Sequence, residues 1–229
     1  SAVDFTIECK VLVVACGAVA STGLLLRSEK AFNGARALDP SGALGRHLSA
    51  NGDYGVTGIV GDKFERDVEG FKGKPMSSFS PTFWAKDKFI LIPFYAAPLH
   101  LAFGQPSTLL RAADPSARGR GSAKARAGER DFGLDYKKRL ARFGSKMLTM
   151  GCLALDACEG EIRLGDADAP EVHWPTTHER TEARWTAAVS AMARIYEALG
   201  GEMYLDTYRR DGSVNTAHPL GGCRMTDDP

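Results

Sequence analysis

The stretch E-C-K-V-L-V-V-A-C-G-A-V-A-S-T-G-L-L-L-R, residues 8–27, changes its periodicity once, at Gly17. Ahead of that glycine, Phe5 to Ile7 and then Cys9 to Ala15 are apolar, β-branched runs of the kind that form a strand buried in an α/β sheet. Beyond it, Ala18 to Arg27 continues at helical spacing. A strand, a glycine turn and a helix starting near Ser21 would set backbone N–H groups and a positive helix end where a phosphate or ribose could bind. The pattern is shared by any βα unit with glycine in its turn, so it fixes a fold class, α/β (α+β), before it fixes a ligand.

Outward from this unit the periods alternate. Asp39 to Gly55, D-P-S-G-A-L-G-R-H-L-S-A-N-G-D-Y-G, is a glycine-punctuated loop, and its Asn51-Gly52 pair is the commonest hairpin turn signal. Strands are expected at Val56 to Val60, Phe89 to Tyr95 and Lys146 to Leu155, with two short ones at Glu161 to Leu164 and Val172 to Trp174. Thr176 with Glu179 forms a candidate capping box for a helix that carries Trp185, Val189, Met192, Ile195 and Leu199 on one face and ends at Gly200-Gly201. Between these elements, Leu109 to Asp131 is rich in Gly, Ser, Pro and basic residues without large apolar side chains, and reads as a mobile excursion at the rim of a pocket.

Composition excludes several classes of function. Twenty-nine Lys and Arg against 28 acidic residues leave a net charge of +1, which gives no field for nucleic acid or an anionic membrane. The excursion's cationic residues have no interleaved aromatics for base stacking. Five cysteines at irregular spacing read as free thiols rather than a disulfide framework. No apolar run approaches the roughly 20 residues that span a bilayer, so a soluble protein is expected.

The chemistry concentrates in S-V-N-T-A-H-P-L-G-G-C-R-M-T-D-D-P, residues 213–229. Pro219 restricts the backbone of His218, and Gly221 and Gly222 release the chain into conformations with positive φ or allow a ligand to come close. Such a turn aims one imidazole at a fixed point, and histidine is the side chain best suited to take a proton from an alcohol near neutral pH. A turn histidine bonded only to backbone fits the same eight residues. A metal reading of His218 with Cys223 lacks the second ligand pair of a zinc site, so no metal is expected.

The segment His218 to Met225, H-P-L-G-G-C-R-M, resembles the histidine segment of the glucose-methanol-choline flavin oxidoreductases, and in particular their cholesterol-oxidase-like branch. Val11 to Ser28 is similar to that family's second signature, with Thr22 in place of the usual proline and Glu29 in place of glycine. Leu44 to Asp53 is similar to its L-G-R-x-x-S-x-N-G-D/N segment. The resemblance implies that His218 is catalytic, and that Gly17, Ala18, Asn51, Gly52, Asp53, Pro219 and Gly221 lie along FAD. It implies a substrate that is a sterol or other bulky alcohol. Pro93, Phe94 and Tyr95 stand where the branch commonly carries an acidic residue near the substrate, which argues against steroid isomerisation and weakens cholesterol itself as the substrate.

On this resemblance, residues 1–55 are expected to be part of an FAD-binding Rossmann-like domain. Residues 56–212 are expected to form an antiparallel-sheet substrate domain with helices on one face and a mobile loop near 111–131, and residues 213–229 to return the catalytic histidine to the FAD domain. The sequence contains no strand followed by G-x-G-x-x-G, so the chain is expected to be an internal to C-terminal piece of a longer enzyme, inactive alone. Two alternatives stay open: a dehydrogenase of the same family acting on a sugar or aliphatic alcohol with an acceptor other than oxygen, and a non-catalytic binding module that has lost the cofactor.

Overall fold

The computed structural model describes residues 6–32, 38–62, 64, 68–72, 76–94, 133–134, 137–138, 141, 144–174, 179–204 and 216–224. The loop expected near 111–131, Tyr95, Thr176 and the segments flanking 216–224 lie outside them. Helices and antiparallel sheets make a mixed α and β architecture that divides into two compact units. One comprises Ser1–Leu48, Cys158–Trp174 and Pro219–Pro229; the other comprises Ser49–Ala157 and Pro175–His218. The split falls between Leu48 and Ser49 and, in the last segment, between His218 and Pro219.

The larger unit is built on a four-stranded sheet. Its strands are β1 (Tyr54–Ile59), β2 (Phe89–Phe94), β3 (Met147–Ala154) and, later in the chain, Glu202–Tyr204, and the last pairs with the far edge of β1. β3 lies between β1 and β2, with Val56 opposite Met150 and Leu91 opposite Cys152. Every pairing is antiparallel, so each strand presents alternate side chains to opposite faces. Val56, Phe89, Leu91, Met150, Cys152 and Ala154 accordingly share one face and enter one core.

That core is closed by the helix Glu179–Ala198, which buries Trp185, Ala188, Val189, Met192 and Tyr196 against the sheet. The expected apolar stripe needs one correction. Ile195 is 36% exposed, and its neighbour Tyr196 is the buried residue. The Tyr196 hydroxyl donates to the Leu148 carbonyl at 2.6 Å, so the ring can enter the core without leaving its polar end unpaired.

The smaller unit contains α1 (Gly17–Ala31) and a two-stranded hairpin of β4 (Glu161–Leu164) and β5 (Pro170–His173). Helix and hairpin approach closely at Gly23, where a Cβ would stand 2.7 Å from the Pro170 side chain. Lys30 Nζ bonds Asp168 Oδ1 at 2.5 Å, on the exposed side of the same contact. The segment after α1 adds to the hairpin through paired hydrogen bonds between Leu48 and Gly160 and one from Ile162 N to the Gly45 carbonyl.

The buried strand expected at Cys9 to Ala15 is not formed. Residues 6–15 carry no strand, and Val11, Leu12 and Val13 are 75–79% exposed. A strand of a parallel sheet is stabilised by neighbours along its edges, and the described strands form only the two antiparallel sheets. The apolar composition of the run is met by no partner among the described residues. The helix that follows it does form, with Ser21 Oγ accepting from Cys16 N at 3.0 Å to satisfy a donor ahead of its first turn.

The loop after α1 is organised by one carboxylate. Asp39 Oδ1 accepts from Ala43 N and Ser41 Oγ, both at 3.0 Å, and Oδ2 accepts from Leu44 N at 2.9 Å. Burial pushes this carboxyl up, but the bonds from Leu44, Ser41, Ala43 and Gly42 together outweigh it and hold the group below its ordinary 3.8. The folded value is lower than the unfolded one, so the contribution is complete above about pH 4 and is lost as pH falls through the folded value. Asp39→Ala is expected to cost about 1 kcal/mol at neutral pH. Denaturant midpoints of the two proteins should converge as the solution is acidified.

Candidate functional site

The Asn51-Gly52 turn is where the chain begins to build a site. Both residues have positive φ, 57° and 55°, and Asp53 N donates back to the Ala50 carbonyl at 3.2 Å. This is the geometry of a primed turn, which Asn and Gly tolerate best. It does not close a hairpin between adjacent strands. Instead it delivers Asp53 to the start of β1.

The turn is held on three sides. Asp156, 8% exposed, accepts from Ser49 Oγ and Ala50 N, each at 2.7 Å. The Asn51 carbonyl accepts from Ala154 N at 3.0 Å, at the end of β3. The Gly52 carbonyl accepts from the Trp185 indole N–H at 2.9 Å, so the long helix anchors the turn as well as the core. A Cβ at Gly52 would stand 2.5 Å from the Ala154 carbonyl oxygen, which leaves no side-chain space there.

Asp53 then meets His218. Its Oδ2 accepts from Thr216 Oγ1 at 2.9 Å, from Ala217 N at 3.0 Å and from His218 Nδ1 at 2.8 Å. Thr216 Oγ1 also accepts from His218 N at 2.9 Å, so the short segment 216–218 wraps one carboxylate oxygen. A carboxylate oxygen beside Nδ1 requires a proton on that nitrogen, which leaves Nε2 with the lone pair when the ring is neutral. The carboxylate is 12% exposed and the imidazole 37%, so the anchored end is shielded and the ring remains reachable.

Sequence reasoning expected Asn51, Gly52 and Asp53 beside a cofactor; the structure brings Asp53 onto His218. Asn51 stays near through Nδ2, 3.4 Å from Asp53 Oδ1. Gly52 is committed to Ala154 and Trp185. Thr216, Asp156 and Trp185 were missed as supports of the site. Thr216 carried one signal, a hydroxyl two residues ahead of the histidine, which is the spacing of a local Ser/Thr turn.

The remaining candidates belong to the smaller unit. Gly17 has φ 78°, and a Cβ there would meet nothing within 4 Å, so the approach to the start of α1 is open at Gly17, with Ala18 next in the helix. Pro219 is half-buried. Gly221 has φ 93°, and its missing side chain makes room for the chain's own His47 carbonyl. Gly222 lies over Thr22, with Oγ1 2.5 Å from where a Cβ would be. Gly221→Ala therefore meets both a left-handed backbone and an unyielding carbonyl, and is expected to cost on the order of 3 kcal/mol, read as a lowered urea midpoint.

Among the described residues no group of three or more His, Cys, Asp or Glu converges as a metal site, and no helix is long and apolar enough to cross a membrane. Neither the models of known protein families nor the curated proteins give a match to this chain.

Proposed function

We propose that this chain is part of an FAD-dependent alcohol oxidoreductase of the glucose-methanol-choline type, acting on a sterol or other bulky alcohol, with His218 as its base. The observation that carries the reading is the Asp53–His218 pair, which ties down Nδ1 at 2.8 Å and leaves Nε2 to accept a proton. In this reading Nε2 takes the proton of the substrate hydroxyl as hydride leaves the same carbon. FAD, when bound, supplies the hydride acceptor.

The fit to that group is uneven along the chain. The open backbone at Gly17 and the first turn of α1, with Ala18, suit a ribose or phosphate oxygen. Gly221 and Gly52 are filled by protein atoms on their Cβ sides, so any contact from them would come through backbone on another side. The finer architecture, an FAD-binding portion and a substrate-binding sheet, belongs to the same proposal. The four-stranded sheet supports it with an apolar face, and Phe94 lies over Gly55 and Gly151, 3.3 and 3.0 Å from where their Cβ atoms would be.

The test is anaerobic addition of a panel of bulky, sugar and aliphatic alcohols to the whole enzyme of which this chain is part, loaded with FAD. Loss of the flavin absorbance with a bulky alcohol is the expected result. Bleaching with a sugar or small alcohol would move the substrate class, and turnover with a dye but not oxygen would make the enzyme a dehydrogenase. Bound FAD that no alcohol bleaches would overturn the oxidoreductase reading, and failure to bind FAD would favour the binding module.

A further inference from the structure

We infer that Asp53 is a positioning residue for His218, which fixes the tautomer and the orientation of the imidazole. The inference deepens the proposed function and rests on His218 as the base, but its physical basis lies in the pair itself. Three donors converge on Asp53 Oδ2, and all three come from residues 216–218. Only one is a side chain whose protonation can change during a reaction. The other two, Thr216 Oγ1–H and Ala217 N–H, set the carboxylate against the histidine's own backbone.

Two consequences follow from this geometry. The ring cannot turn Nε2 toward the carboxylate without breaking a bond at 2.8 Å, so the same nitrogen always faces outward. When Nε2 takes a proton from a hydroxyl, the O–H bond breaks, the N–H bond forms, and the ring stays bonded to Asp53 through Nδ1. Among the described residues, Asp53 forms the hydrogen bond and ion-pair contact to the ring.

The test uses nitrogen NMR of the imidazole in the 229-residue chain, in wild type and in Asp53→Asn and Asp53→Ala. Asn can offer one oxygen to the same three donors while removing the charge, with its NH2 turned toward Asn51. In wild type the neutral ring of His218 should carry its proton on Nδ1. Asp53→Asn should keep the proton on Nδ1, because its side-chain oxygen can still accept there. Asp53→Ala should shift the proton toward Nε2. A wild-type neutral ring protonated on Nε2 would overturn the inference even if Asp53→Ala fails to fold, and so would a folded Asp53→Ala whose ring keeps its proton on Nδ1. If the tautomer is as stated but His218→Ala in the FAD-loaded enzyme turns over normally, the base assignment fails and the positioning geometry stands.

Discussion

His218→Ala should lower alcohol turnover by about 10²–10⁴-fold in the FAD-loaded enzyme while leaving the flavin absorbance in place, because general-base contributions of a positioned side chain fall in that range. The described hydrogen bond of the imidazole is to Asp53 through Nδ1, while the His218 backbone N–H donates to Thr216 Oγ1. Removing the ring therefore takes away no packing element of the core, and the His218 backbone N–H can still donate to Thr216. The loss should appear in the rate of anaerobic flavin reduction rather than in the amount of flavin bound. His218→Gln is the companion variant, since it restores a polar side chain without a basic nitrogen and should not recover the rate. Near-normal reduction by either variant would remove His218 from the chemistry.

The parts of this arrangement differ in how far the sequence reveals them, and the difference is one of range. β1, β2 and β3, the hairpin and the long helix were legible because each obeys a local period, with boundaries shifted by no more than two residues. The Asn51-Gly52 turn was legible for the same reason, since its two positive φ values are what those residues tolerate. The Cys9 to Ala15 run misled because apolar composition states a demand for burial without supplying a partner, and Val11 to Val13 are exposed. Tyr196 was passed over in favour of Ile195 because periodicity counts carbon and not the carbonyl of Leu148 that receives the hydroxyl.

The site was legible only by halves. His218 stood out through Pro219 and the glycine pair, and Asp53 through the Asn-Gly turn, but 165 positions separate them and no local rule joins them. The sheet and the long helix place the carboxylate. β1 begins at Tyr54, one residue after the carboxylate, while the long helix and its Trp185 hold the turn from the other side. The division into units is equally non-local, because residues 158–174 join the start of the chain rather than their sequence neighbours.

Trp185 is where stability and site geometry meet, and Trp185→Ala should be the most destabilising single change in the larger unit, at about 3–5 kcal/mol. The side chain is 4% exposed and its ring lies 6.3 Å from that of Tyr54, so truncation opens a cavity under the first residue of β1. Trp185→Phe separates packing from the hydrogen bond. It keeps most of the apolar contact but takes the indole donor from the Gly52 carbonyl, at an expected cost of about 1–3 kcal/mol. The remaining partner of that carbonyl is the Cys152 thiol at 3.8 Å, a weak donor. A turn released at Gly52 gives Asp53 room to shift, and the bonds on its Oδ2 converge from a single segment, so they should weaken together. Urea midpoints should fall in the order wild type, Trp185→Phe, Trp185→Ala, and in Trp185→Phe the His218 ring should lose part of its Nδ1–H character in the folded protein. A folded Trp185→Phe with unchanged stability and an unchanged His218 spectrum would mean that Ala154 and Asp156 fix the turn without the helix.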